Sequence, residues 1–65
     1  MTQDEFTALV KETRRRTGLS GPVLGSRIGV SFMTIHRWEK GRTMPKDDAV
    51  AYWAAALRAV EPANV

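Results

Sequence analysis

Sixty-five residues make one small domain at most, and 43% hydrophobic with 26% charged residues suits a soluble globular chain and argues against disorder. With no cysteine the chain has no disulfide, no Cys-containing zinc site and no thiol nucleophile, and with His36 as its sole histidine it has no all-histidine metal site. The net charge of +3 conceals a segregation: from Arg14 to Lys46 eight bases stand against one acid, Glu39, a net of +7, while the rest holds two bases and six acids, a net of −4. A positive middle of this kind points to a polyanionic partner; the alternative is a solvated basic face with no partner. The longest apolar run, Ala49 to Leu57, is far short of the ~20 residues a membrane-spanning helix needs. The N-terminus lacks a basic-then-apolar signal pattern, so the expected setting is cytoplasmic, with no membrane partner.

In chain order, residues 1–4 read as a polar lead-in. Phe6, Leu9, Val10 and Thr13 then recur at i, i+3, i+4, i+7, one stripe of an amphipathic helix. Thr2 or Asp4 caps it, Arg14, Arg15 and Arg16 suit its negative end, and Gly18 stops it. Ser20-Gly21-Pro22 reads as the start of a second helix of about two turns through Val23, Leu24, Arg27 and Ile28, ended by Gly29. Ser31 caps a third helix, Phe32 to Lys40, whose inward positions are Ile35 and Trp38; Phe32, Met33, His36 and Arg37 fall outside that stripe. Gly41 to Pro45 is a loop with Arg42 and Lys46 near its ends. Asp47 and Asp48 open an alanine-rich last helix with Val50, Trp53, Ala54 and Leu57 facing the core. No strand-like alternation and no internal repeat appears. The expected fold is all-α: a compact bundle of four or five short helices in a single domain over 1–65, with its core within 5–60.

The second and third helices meet at Gly29, where a positive φ suits glycine, and Gly25 is small where the helices cross. Ile28, Val30, Ile35 and Trp38 are expected to bury the inner sides. A helix held by its inner face and bare on the other fits the major groove of duplex DNA, about 12 Å wide. The joint pattern G-L-S at 18–20, L-G-x-x-I-G-V-S at 24–31, T-I-x-x-W-E-x-G at 34–41 and Pro45 resembles the lambda-repressor-like, Cro-type (Xre) helix-turn-helix family over Phe6 to Leu57, with the helix-turn-helix at 20–40. The resemblance implies a four- or five-helix bundle that binds DNA sequence-specifically. Two departures stand out. The family more often has alanine at the place of Gly25, and often a phosphate-contacting glutamine at the place of Gly21.

The resemblance makes Phe32 to Lys40 the recognition helix. Phe32, Met33 and Arg37 lead the candidates for base contact, with Ser31, Thr34 and His36 behind them. Arg37 suits a bidentate pair with guanine, and Phe32 and Met33 suit thymine methyl groups; the alternative for these two is the core. Phosphate contacts are expected from Ser20 and the Gly21 N–H at a helix N-terminus, and from Lys40, Arg42, Thr43 and Lys46 around the following loop. Arg15, Arg16 and Arg27 are open between a specific contact and a contribution to the general field alone. The family often pairs an arginine near the end of its first helix with a glutamate ending the recognition helix, which implies an Arg14–Glu39 ion pair. Tyr52, Ala55, Ala56, Ala59 and Val60 form a candidate dimer face.

These readings give a non-enzymatic regulator, a repressor or autoregulator of a bacterium or phage, associated with the nucleoid. It binds double-stranded DNA as a homodimer on a palindromic operator, with no cofactor, metal or small-molecule substrate. The alternatives are an antitoxin or phage control protein of the same fold, and a protein-interaction module working through the Phe32/Met33 surface. His36 and Glu39 are spaced i, i+3, but no nucleophile accompanies them in a catalytic pattern.

Overall fold

The computed structural model describes residues 1–62, which form four helices: α1 (Gln3–Thr17), α2 (Gly21–Ile28), α3 (Phe32–Glu39) and α4 (Asp47–Arg58). Helix α1 starts earlier than its apolar spacing predicts because Thr2, not Asp4, is the cap. The Thr2 hydroxyl accepts from the Glu5 N–H at 3.1 Å, and the Glu5 carboxylate accepts from the Thr2 N–H at 2.7 Å. This capping box satisfies two otherwise orphaned amides, and the bond from Thr2 holds the Glu5 carboxyl below its usual value. At the other end Gly18 adopts φ 72° and donates its N–H to the Arg14 carbonyl. Thr13 and Thr17 lie buried beside Phe6 and Val10. Their hydroxyls donate back to the carbonyls of Leu9 (2.8 Å) and Thr13 (2.7 Å), so no polar atom is stranded.

Ser20 and Ser31 cap α2 and α3 by accepting from the Val23 and Thr34 amides. Between the helices Gly29 takes φ 89°, and the N–H groups of Gly29 and Val30 both donate to the Gly25 carbonyl, at 2.8 and 2.9 Å. The turn thus folds back onto Gly25, where a Cβ would lie 2.6 Å from the Val30 carbonyl oxygen and 3.3 Å from the Ser31 carbonyl carbon. Those neighbours are backbone and cannot swing aside. Gly25→Ala gains about 1 kcal/mol of helix propensity but forces the turn open at a cost of about 1–3 kcal/mol. A net loss near 1 kcal/mol is expected, seen in a thermal melt as a midpoint about 4–8 °C lower; an unchanged or raised midpoint would contradict the close approach.

Helix α2 packs on α3, α3 on α1, and α1 on α4. The core consists of Phe6, Val10, Leu19, Leu24, Ile35, Trp38, Val50, Ala54, Leu57 and Val60. Leu9, Ile28, Val30 and Trp53, read from the sequence as core positions, are only partly buried against it. Ile28 and Val30 flank the tight turn at the rim, and the Trp53 ring lies between those of Trp38 (centroids 5.8 Å apart) and Tyr52 (4.9 Å).

Val60 corrects the expected dimer face: it is buried and belongs to the core. The chain turns after Ala59, and the Arg16 guanidinium donates to the carbonyls of Val60 (3.0 Å) and Leu57 (3.2 Å). Arg16 therefore closes the C-terminus of α4, adding a donor to the Leu57 carbonyl, which the Val60 N–H also reaches at 3.3 Å, and one to the Val60 carbonyl just past the helix. It is not merely one more charge in a diffuse field.

Candidate nucleic-acid interface

Helix α3 is fixed on one side and bare on the other. Ile35 and Trp38 are buried, while Phe32 and Met33 are 49% and 48% exposed and Arg37 also faces solvent. Both apolar side chains thus stand outside the core. The rest of the expected base-contact set is placed differently. Ser31 and Thr34 turn their hydroxyls toward each other, 3.1 Å apart, while Ser31 also accepts from the Thr34 N–H. His36 is half-buried, its ring tilted against that of Phe32 at 6.1 Å between centroids.

Around this helix Lys40, Arg42, Thr43 and Lys46 are all exposed. The loop that carries them is anchored at its start. The Arg42 N–H donates to the Arg37 carbonyl at 3.0 Å, and the Gln3 side-chain amide donates to the Gly41 carbonyl. The carbonyl of Trp38 also accepts from the Thr7 hydroxyl at 3.0 Å. Lys46 is the N-cap residue of α4 and makes no side-chain capping bond. Ser20 is exposed at the start of α2, but Gly21, expected to offer its N–H to phosphate, is buried. The Phe32 ring covers it: a Cβ on Gly21 would stand 3.2 Å from the Phe32 Cδ1.

Arg14 reaches across from α1. Its Nη1 donates to the Glu39 Oε1 at 2.8 Å and its Nε to the Leu19 carbonyl at 3.3 Å. Glu39, the one acid of the basic stretch, is thereby neutralised at the end of α3. The two side chains are 37% and 20% exposed, so solvent screens part of the attraction and the coupling should be about 1 kcal/mol. Glu39→Ala alone should destabilise more than Glu39→Ala with Arg14→Ala, because the single change strands a half-covered cation. A denaturant double-mutant cycle measures this, and coupling near zero would reduce the pair to a surface contact.

The pair borders a cleft of about 350 Å³ lined also by Lys11, His36 and Lys40. Lys11 was outside the basic stretch in sequence; its signal is its i, i+3 spacing to Arg14 on α1, which brings both against α3. Arg15 instead hydrogen-bonds Glu12 on its own helix, with Nε to Oε2 at 2.9 Å, and that partner holds it above its usual pKa. Arg27 lies elsewhere, on a groove of about 390 Å³ with Ile28, Tyr52, Ala56, Ala59, Val60 and Glu61. Among the described residues no helix is long and apolar enough to cross a membrane.

A family model described as a helix-turn-helix domain matches residues 5–65. No curated protein and no solved structure gives a match.

Proposed function

The chain belongs to the helix-turn-helix domain family, and from that premise we propose that it is a sequence-specific duplex-DNA-binding regulator of the Cro/Xre kind, a small transcriptional repressor or autoregulator of a bacterium or phage. The observation that carries this reading is the division of α3. Ile35 and Trp38 are held in the core, while Phe32, Met33 and Arg37 are exposed, and the loop that follows carries the exposed cations Lys40, Arg42 and Lys46. In the major groove Arg37 pairs with guanine O6 and N7, and Lys40, Arg42, Thr43, Lys46 and Ser20 hold the phosphate backbones. Ser31, Thr34 and His36 have a lesser share, since the Ser31 hydroxyl caps the helix and is shared with that of Thr34.

The active form is a homodimer on a palindromic site, with its two recognition helices one helical turn, about 34 Å, apart. The contact surface is the outer side of α4. Tyr52 is 65% exposed, Ala55 and Ala59 are exposed, and Ala56 is half-covered, a large ring beside small side chains that allow close approach.

Selection of bound sites from random duplex DNA tests the proposal. The wild-type chain should enrich a short inverted repeat, and Arg37→Ala should lose preference at one base pair per half-site, worth about 1–3 kcal/mol. No enrichment from any duplex would overturn the DNA reading, and a non-repeated site bound by a monomer in light scattering would overturn the dimer.

A further inference from the structure

We infer that Phe32, seated on Gly21, reads the C5-methyl group of thymine, and that Gly21 is the positioning residue for that reading; this rests on the DNA-binding function proposed above. The first turn of α3 offers little else to a base edge. Its two hydroxyls, on Ser31 and Thr34, lie 3.1 Å apart and Ser31 also caps the helix, so one of the two O–H donors is used within the turn. The bulk of the exposed surface there belongs to Phe32 and Met33, neither of which has a hydrogen bond to give. An apolar ring pressed on a carbonyl, amino or N7 position would strip that group of water without replacing the bond, which is unfavourable. The thymine methyl is the one apolar feature that bases display in the major groove.

The ring is also held in place. One side lies against the bare Cα of Gly21, where an added Cβ would meet the Phe32 Cδ1 at 3.2 Å and Cε1 at 3.3 Å. His36 flanks it, with ring centroids 6.1 Å apart. Glycine at the start of α2 therefore makes room for the aromatic ring. Because Phe32 is half-exposed, a Cβ at that position displaces the ring outward without disturbing the core. Gly21 thus acts on recognition through Phe32.

The test uses the duplex enriched by selection, with thymine replaced by uracil one position at a time, which removes only the methyl. For the wild-type chain one position per half-site should lose about fourfold in affinity, the equivalent of ~0.8 kcal/mol per buried carbon. Phe32→Ala should bind the thymine and uracil duplexes equally. Gly21→Ala should shrink the thymine-to-uracil ratio while its thermal midpoint stays within a few degrees of wild type, and Phe32→Val added to Gly21→Ala, whose side chain lacks the Cδ and Cε atoms that the new Cβ would meet, should restore part of the ratio. Equal binding of every uracil duplex by the wild type, or a full uracil penalty retained by Phe32→Ala, would overturn the reader. A full ratio in Gly21→Ala would remove the seat. Absence of any complex, with thymine or uracil, at low salt would instead remove the DNA-binding reading itself.

Discussion

Raising monovalent salt from about 50 to 200 mM should weaken binding of the selected operator about a thousandfold. Each phosphate neutralised by a cation releases condensed counterions, and log affinity falls against log salt with a slope of about −0.9 per phosphate. Lys40, Arg42 and Lys46 are the exposed cations around the loop after α3. Three such contacts per protomer, doubled in the dimer, give a slope near −5, and a fourfold rise in salt then costs about three decades. Fluorescence anisotropy across a salt series measures it. The same slope reads stoichiometry: a monomer with three contacts would show a value near −3. Lys40→Ala should lower the dimer's slope by about 2, one phosphate in each protomer, while Thr43→Ala, which removes no charge, should leave it unchanged. A protein-interaction module using the Phe32 and Met33 surface would show almost no slope, so this series decides between the two classes of partner.

The loop cations were legible in the sequence because a charge needs no partner to be seen. Local devices were legible for a related reason. Ser20, Ser31, Gly18 and Gly29 act on amides and carbonyls within a few residues, so residue type and spacing suffice. The inward stripe of α3 followed from the i, i+3 spacing of Ile35 and Trp38, and exposure of Phe32 and Met33 followed from that stripe. What did not emerge is whatever depends on segments meeting late in the chain. Arg16 caps carbonyls 41 and 44 residues away, and nothing in a run of three arginines says which one faces α4. Gly21 read as a phosphate contact through its backbone N–H alone; only the Phe32 ring laid over it gives the missing side chain a purpose. Val60 follows the last helix in an alanine-rich tail and so read as surface, until the turn after Ala59 brings it into the core. The capping box at Thr2 and Glu5 was present in the sequence and was outweighed by an apolar pattern that begins only at Phe6.

Trp38→Ala should leave the chain without a cooperative folded state at 37 °C. Trp38 is 5% exposed and occupies the point where three helices come together. Its ring meets that of Phe6 on α1 edge-on at 5.0 Å between centroids and that of Trp53 on α4 at 5.8 Å. Since α4 packs mainly on α1, the Trp38–Trp53 contact is an important tie between α4 and the recognition helix. Truncating a buried tryptophan costs about 3–5 kcal/mol. A domain of 65 residues has roughly 3–10 kcal/mol in all, at 0.05–0.15 kcal/mol per residue. The loss is therefore comparable with the whole stability, and no second core stands by to absorb it. Circular dichroism melts should show a broad, shifted or absent transition for Trp38→Ala, whereas Trp38→Phe, which keeps an aromatic edge toward Phe6, should retain a cooperative melt at lower temperature. Trp53→Ala should cost less, because that ring is only partly buried. Operator binding should follow the same order, failing in Trp38→Ala through loss of the fold that holds α3. A cooperative melt within a few degrees of wild type for Trp38→Ala would show that α3 is anchored by Ile35 and Leu24 alone, and that the aromatic contact between α1, α3 and α4 is dispensable.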